Sequence, residues 1–174
     1  IIFCNDGLAV IDKYRHLLTD AQYRAYRAEV RAVRAMFYFY LMDMFGNVPL
    51  ITSVDDTPGN AVQAGRPEVY GFVVKELQEV EPLLPAGHSN LEGADYGRMT
   101  RSVADFLLAK LMLNAEVYAD ADWTDGQQPD GSQLYFTVDG QRLNAWQACK
   151  HYCDKVTAAG FTLASDYLSN FAVH

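Results

Sequence analysis

The segment at residues 120–141 holds the side chains best suited to bind a small molecule. The ring of Trp123 is flanked by hydrogen-bonding side chains, those of Asp122, Thr124, Asp125 and Gln127. A sugar stacks its C–H face on such a ring while its hydroxyl groups bond to polar neighbours. Tyr135 lies in the same segment. Trp123, Asp125 and Tyr135 are therefore the candidate ligand-binding residues.

A structural role for Trp123 is the alternative, because tryptophan is highly buried on average and the ring could fold back onto the core. The segment is longer than most loops of compact domains, and such loops tend to be functional or disordered. Its aromatic residues argue against plain disorder. The sequence leaves both roles of Trp123 open.

A row of arginines lies on one predicted helix, at Arg24, Arg27, Arg31 and Arg34. Such a row could clamp an acidic sugar or a phosphate. The alternative is an ion-paired or solvated helix face whose arginine stems cover neighbouring aromatic rings. Glu29 is a candidate partner for one of these arginines.

No catalytic or metal-binding pattern emerges from the remaining polar residues. The acidic run from Asp120 fails the EF-hand register, since its sixth position is Asp125 and its twelfth is Gly131. The four histidines are scattered, and no nucleophile, phosphate-binding or zinc-protease motif is present. We therefore predict no catalytic residue, no metal ligand and no cofactor.

The composition is that of a folded domain in water. The chain has 174 residues, 50% of them hydrophobic, which suits a single domain over residues 1–174. The formal net charge of −8 argues against general binding of nucleic acid or anionic lipid. No apolar run is long enough to span a bilayer, so membrane attachment would need a lipid anchor outside this sequence.

The apolar residues recur at helical spacing along most of the chain. Helices are predicted at residues 8–18, 20–45, 67–84, 101–119 and 143–159. In the longest helix the stripe that includes Phe37 and Tyr40 is predicted to be core. Residues 47–65 contain a short β-prone run and are predicted to form an extended arm over the helices.

These elements predict an all-α fold of antiparallel helical hairpins resembling tetratricopeptide repeats, with long irregular loops. No clear period of about 34 residues is present, so a single helical bundle stays a second interpretation.

Several short motifs follow one another in a fixed order along the chain. An E-x-R-x-x-R-A run at residues 29–35 leads into an aromatic cluster and then into Phe45-Gly46-Asn47-Val48-Pro49-Leu50. Further matches follow at residues 66–70, 83–85, 96–100 and 160–163. Together these motifs resemble the SusD/RagB family. The resemblance extends over nearly the whole chain, and its motifs are turns and helix ends, which mark scaffold and not a binding site.

The resemblance implies a surface lipoprotein of the bacterial outer membrane that is not an enzyme. Such a protein captures oligosaccharides or peptides and hands them to a TonB-dependent SusC-like transporter. Members of the family are much longer, so the sequence is expected to be a fragment, with some ligand residues elsewhere. The competing hypothesis is a helical-repeat scaffold that binds a protein partner and no small molecule.

Overall fold

The computed structural model describes residues 1–56, 61–163 and 165–171, and within them the fold is dominated by helices. The helices are α1 (Ile2–Lys13), α2 (Asp20–Phe45), α3 (Arg66–Val80), α4 (Arg101–Leu113), α5 (Ala115–Tyr118) and α6 (Ala145–Ala158). The strands are β1 (Val48–Pro49), β2 (Gln63–Ala64), β3 (Tyr135–Val138) and β4 (Gln141–Asn144). Short 3-10 turns occupy Arg15–Leu17, Glu81–Leu83 and Tyr167–Phe171. The predicted all-α class is confirmed.

Helix α2 has the bounds that the sequence predicts, and both ends have a local cause. Thr19 and Gln22 form a reciprocal capping box, in which the Thr19 side chain accepts from the Gln22 backbone N–H. At the other end Gly46 takes a φ of 69°, a left-handed conformation that glycine adopts without strain. The 26-residue helix thus begins and ends where its caps allow.

The buried face of α2 differs from the predicted stripe. Phe37 is 46% exposed and Tyr40 is 43% exposed, so their assignment to the core was wrong. The face that packs inward is built of small residues and two adjacent rings, namely Ala28, Ala32, Ala35, Tyr38, Phe39 and Met42. Small side chains let a neighbouring helix approach closely, and α3 packs along this face.

Among the other helices α1 departs most from its predicted limits and α3 ends four residues early, whereas α6 lies within two residues of its prediction at both ends. Helix α1 starts at Ile2 and ends at Lys13, not at residues 8–18. Gly7 lies inside α1, where a Cβ atom would stand 3.8 Å from Val30 Cγ1 of α2, so it is a helix-packing position and not a boundary. The predicted helix at 101–119 is divided at Asn114, whose Nδ2 donates to the Lys110 carbonyl at 2.9 Å.

The predicted loop at 120–141 ends in a β-hairpin that the helical pattern did not indicate. Strands β3 and β4 pair antiparallel from Tyr135 opposite Asn144 to Val138 opposite Gln141. The turn residues Asp139 and Gly140 have φ values of 47° and 78°, as a two-residue type I′ hairpin requires. The irregular part of the segment is therefore limited to the residues before β3.

The predicted arm at residues 47–65 is held by a short antiparallel pair. Val48 of β1 stands opposite Ala64 of β2, and Pro49 opposite Gln63. The Tyr38 hydroxyl donates to the Ile51 carbonyl at 2.9 Å and accepts from the Ile51 N–H at 2.7 Å, which fixes the arm on α2. Residues 57–60 of the arm lie outside the described residues.

The core lies between α2, α3, α4 and α6. Its fully buried large side chains include Leu77, Leu108, Leu111 and Met112, and the broadest packing is that of α4 on α6 and of α2 on α3. Among the described helices, none is both long enough and apolar enough to cross a membrane.

Candidate functional site

The segment after α5 is ordered by successive aspartate turns. Asp120 Oδ1 accepts from the Asp122 N–H at 2.9 Å, and Asp125 Oδ1 accepts from the Gln127 N–H at 2.7 Å. Between them, Asp122 Oδ1 accepts from the backbone N–H and the hydroxyl of Thr124 at 3.0 and 2.5 Å, and these bonds lower the pKa of Asp122. Each side chain bonds to its own backbone two residues on, so the loop holds its shape locally.

Arg66 ties this loop to the start of α3. Its Nε and Nη2 atoms donate to the Asp120 carbonyl at 3.2 and 2.9 Å. The Asp120 carboxylate stands 3.9 Å from Nη2 and completes an ion pair. Because Arg66 belongs to a well-packed helix, the loop has a rigid support.

Trp123 stands on the rim of an open cavity and is not part of the core. The residue is 78% exposed, so within the described part of the chain the ring does not fold back onto the helices. The cavity has a volume of about 320 Å³ and is lined by Arg66, Val117, Asp120, Trp123, Gly126, Gln127 and Gln128. It thus combines a free aromatic ring with amide, guanidinium and carboxylate groups.

The three predicted ligand residues are not all in this cavity. Asp125 is exposed in the same loop, where its carboxylate holds the turn at Gln127, and it lies outside the cavity wall. Tyr135 belongs to β3, and the Arg142 guanidinium stands 3.6 Å from its ring centroid. The structure therefore groups Trp123 with Arg66 and the two glutamines, while Tyr135 belongs to the hairpin.

The arginine row on α2 is occupied by carboxylates. Arg34 Nη2 stands 2.8 Å from Glu76 Oε2, and Arg31 Nη2 stands 2.5 Å from Glu76 Oε1. Arg27 pairs with Asp12 of α1. Three of the four arginines are therefore ion-paired, as the alternative interpretation held, and the row does not form an open anion clamp.

The pairing predicted for Glu29 within this row was wrong. Glu29 pairs instead with Arg98, in the turn that precedes α4. This partner is far away in the sequence, so helical spacing gave no sign of it.

A second polar group lies where α6 meets α4. Lys155 Nζ stands 3.0 Å from Glu81, 3.3 Å from Asp105 and 3.6 Å from Asp139, and His151 bonds to Asp139 at 2.8 Å. This ion-pair cluster borders a small cavity of about 190 Å³. In the part of the chain that the structure describes, no three His, Cys, Asp or Glu side chains are arranged to hold a metal ion.

Asp105 in this cluster is expected to make stability depend on pH. Burial raises its pKa to about 6, although Lys155 acts to lower it. The folded state then binds more protons than the unfolded state between about pH 4 and 6, so the free energy of unfolding should fall as the pH rises through this window. Asp105→Asn should abolish that fall, which amounts to about 3 kcal/mol at most.

Urea unfolding of the wild-type protein and of Asp105→Asn, at several pH values between 4 and 7.5, measures how the free energy of unfolding depends on pH. The difference between the two curves removes, to first order, the pH dependence that both proteins share. Parallel curves across the whole range would show that Asp105 does not titrate there.

Comparison with known proteins gives a consistent group of relatives, although no family model matches the chain. The starch-binding protein SusD of Bacteroides thetaiotaomicron is 35% identical over 102 residues, which are 58% of this chain and 17% of that protein. A solved SusD homolog from B. thetaiotaomicron is 26% identical, with a TM-score of 0.67, over 97% of this chain and 29% of its own.

A solved laminarin-binding SusD-like protein is 29% identical, with a TM-score of 0.57, over 68% of this chain and 26% of its own. The chain therefore spans less than a third of the length of each of these three proteins.

Proposed function

This chain belongs to the SusD/RagB family, and on that basis we propose that it takes part in the non-enzymatic capture of oligosaccharides at the outer-membrane surface. The proposal includes delivery of the captured sugar to a TonB-dependent SusC-like transporter, with attachment to the membrane through a lipid anchor. Two of the relatives are named for binding starch and laminarin, which supports a carbohydrate as the ligand in preference to a peptide.

The observation that carries the proposal for this chain is the exposed ring of Trp123 beside a polar cavity. The 78% exposure leaves the ring free to stack on a sugar, and Gln127 and Gln128 offer both donors and acceptors to its hydroxyl groups. The aspartate turns and Arg66 hold the loop in place before any ligand arrives, which reduces the entropy lost on binding.

Trp123→Ala in the intact protein should weaken binding of its glycan by about 1–3 kcal/mol, the range measured when other planar rings lose an aromatic stacking partner. This corresponds to roughly 5- to 150-fold in affinity. The melting temperature should hardly change, because the ring is exposed. Isothermal titration against starch, laminarin, xyloglucan and a peptide panel, with a melting curve for each variant, measures both quantities.

The chain's other tryptophan provides the matched control. Trp146 is 40% exposed and packs so closely on Gly131 that an added Cβ there would stand 2.4 Å from Trp146 Cζ2. Trp146→Ala should therefore lower the melting temperature and leave the affinity intact. The reverse pattern, with Trp123→Ala destabilising and affinity unchanged, would refute the proposed contact. Release of shorter sugars from the panel would refute non-enzymatic capture.

A protein-interaction scaffold is the second candidate, and one observation favours it. Phe37, Tyr40 and Met44 form an exposed apolar stripe on α2, of the kind found at protein interfaces. Phe37→Ser combined with Tyr40→Ser should then abolish binding of the scaffold's protein partner. Under the leading proposal the same double variant should still bind glycan. Measuring glycan binding and partner binding on this one variant therefore distinguishes the two functions.

A further inference from the structure

The charges around the Trp123 cavity are predominantly negative. Asp120 lines the cavity, and Asp122 and Asp125, which lie outside its wall, are exposed on either side of Trp123 and Thr124. Arg66 is the one basic residue in the cavity wall. Three carboxylates are thus grouped with a single guanidinium.

The guanidinium is already engaged by the protein. Two of its nitrogen atoms donate to the Asp120 carbonyl at 2.9 and 3.2 Å, and the Asp120 carboxylate lies 3.9 Å away. Only 19% of the Arg66 side chain is exposed. Its positive charge therefore supports the loop and is largely compensated before a ligand arrives.

The carboxylates retain capacity to accept hydrogen bonds. Asp122 and Asp125 each use Oδ1 for a backbone N–H within the loop, so the second oxygen stays free to accept from a hydroxyl group. The bonds from Thr124 lower the pKa of Asp122 below its ordinary value, and an aspartate is ionised near neutral pH even without this effect. A sugar hydroxyl can donate to such an oxygen, whereas an ionised uronate carboxylate can only be repelled by it.

We propose that the Trp123 cavity selects uncharged glycans and rejects polyuronates, an inference that rests on the proposed capture of carbohydrate. By Coulomb's law, two uncompensated negative charges in water, each on the order of 6 Å from a uronate, weaken its binding roughly tenfold. Neutral glycans do not experience this repulsion and gain the hydroxyl-to-carboxylate bonds.

Titration of the intact protein with starch, laminarin and xyloglucan on one side, and polygalacturonate on the other, tests the selectivity. We expect Trp123-dependent binding of a neutral glycan and at least roughly tenfold weaker binding of polygalacturonate at low salt. The difference in affinity between the neutral glycan and polygalacturonate should become smaller in about 1 M NaCl, where charges are screened beyond about 3 Å.

The double variant Asp122→Asn with Asp125→Asn isolates the charge. Asparagine keeps an oxygen that accepts the same backbone N–H groups, so both turns persist while two charges disappear. The ratio of neutral to uronate affinity should fall several-fold. The control is the double variant Asp6→Asn with Asp154→Asn, which removes two charges at exposed residues of α1 and α6. This control should leave the ratio of neutral to uronate affinity unchanged.

The outcomes distinguish the two levels of the proposal. Trp123-dependent binding of polygalacturonate as tight as that of any neutral glycan would overturn the selectivity and leave carbohydrate capture standing. An equal change in the ratio of neutral to uronate affinity in the loop double variant and in the control double variant would overturn the role of the loop carboxylates. Absence of binding to every glycan in the panel would overturn the capture function itself, and the selectivity with it.

Discussion

Replacing Arg34 by methionine should lower the free energy of unfolding by about 3–5 kcal/mol, the usual effect of removing one partner from a buried ion pair. Arg34 is 5% exposed and joins several elements at once. Its Nη2 pairs with Glu76 of α3, and its Nη1 donates to Asn5 Oδ1 of α1 and to the Thr52 carbonyl of the arm, both at 2.9 Å. Methionine fills similar volume but satisfies none of these acceptors.

Urea unfolding of the wild-type protein and of Arg34→Met measures the change in the free energy of unfolding. Arg24→Met is the matched control. Arg24 lies on the same helix and is exposed, so its replacement should change stability by no more than about 0.5 kcal/mol. Glu76→Gln alone and combined with Arg34→Met completes a double-mutant cycle. Additive effects within about 0.5 kcal/mol would show that the pair contributes no coupling, contrary to this expectation.

The Arg34 contacts explain why two of the motifs that resemble the SusD/RagB family belong to the scaffold. In the E-x-R-x-x-R-A run, Arg31 and Arg34 both bind Glu76, while Glu29 pairs with Arg98 of the later Tyr96-Gly97-Arg98 motif. Two motifs far apart in the sequence are thus joined by an ion pair. Their residues hold helices α1, α2 and α3 and the turn before α4 together and lie outside the Trp123 cavity, whereas Arg66 of the 66–70 motif lines that cavity.

Local signals determined which parts of the fold the sequence predicted well. The limits of α2 follow from the Thr19 cap and Gly46, which are features of neighbouring residues. The β3–β4 hairpin escaped prediction although Asp139-Gly140 is a typical hairpin turn, because each strand has only four residues and shows no clear alternation.

The candidate site was predictable only in part, for a related reason. Trp123 is conspicuous in the sequence because its neighbours are polar. Arg66 reaches the loop from a helix 54 positions earlier, and no local pattern indicates that approach. Tyr135 was assigned by proximity in sequence alone, and it lies in the hairpin beside Arg142, outside the cavity wall. Contacts between distant segments depend on the tertiary packing, which periodicity does not contain.

Two phenylalanines on α2 should respond very differently to truncation. Phe39→Ala should lower the free energy of unfolding by about 3–5 kcal/mol, as expected for a fully buried ring. Phe39 is 2% exposed, with the Tyr118 ring edge-on at 6.2 Å between centroids and Lys110 Nζ at 5.3 Å from its own centroid. Removing the ring leaves a cavity between α2, α4 and α5 that the surrounding helices fill only in part.

Phe37→Ala, two positions earlier on the same helix, should lower the free energy of unfolding by only about 1 kcal/mol or less. The reason is that Phe37 is already 46% exposed to water. The pair is matched in residue type, helix and substitution, so urea unfolding of the two variants compares burial alone. Equal losses in the intact protein would mean that the stripe of Phe37, Tyr40 and Met44 is covered. Near-neutral Phe37→Ala together with a costly Phe39→Ala would instead leave that stripe free for a partner, as the scaffold alternative requires.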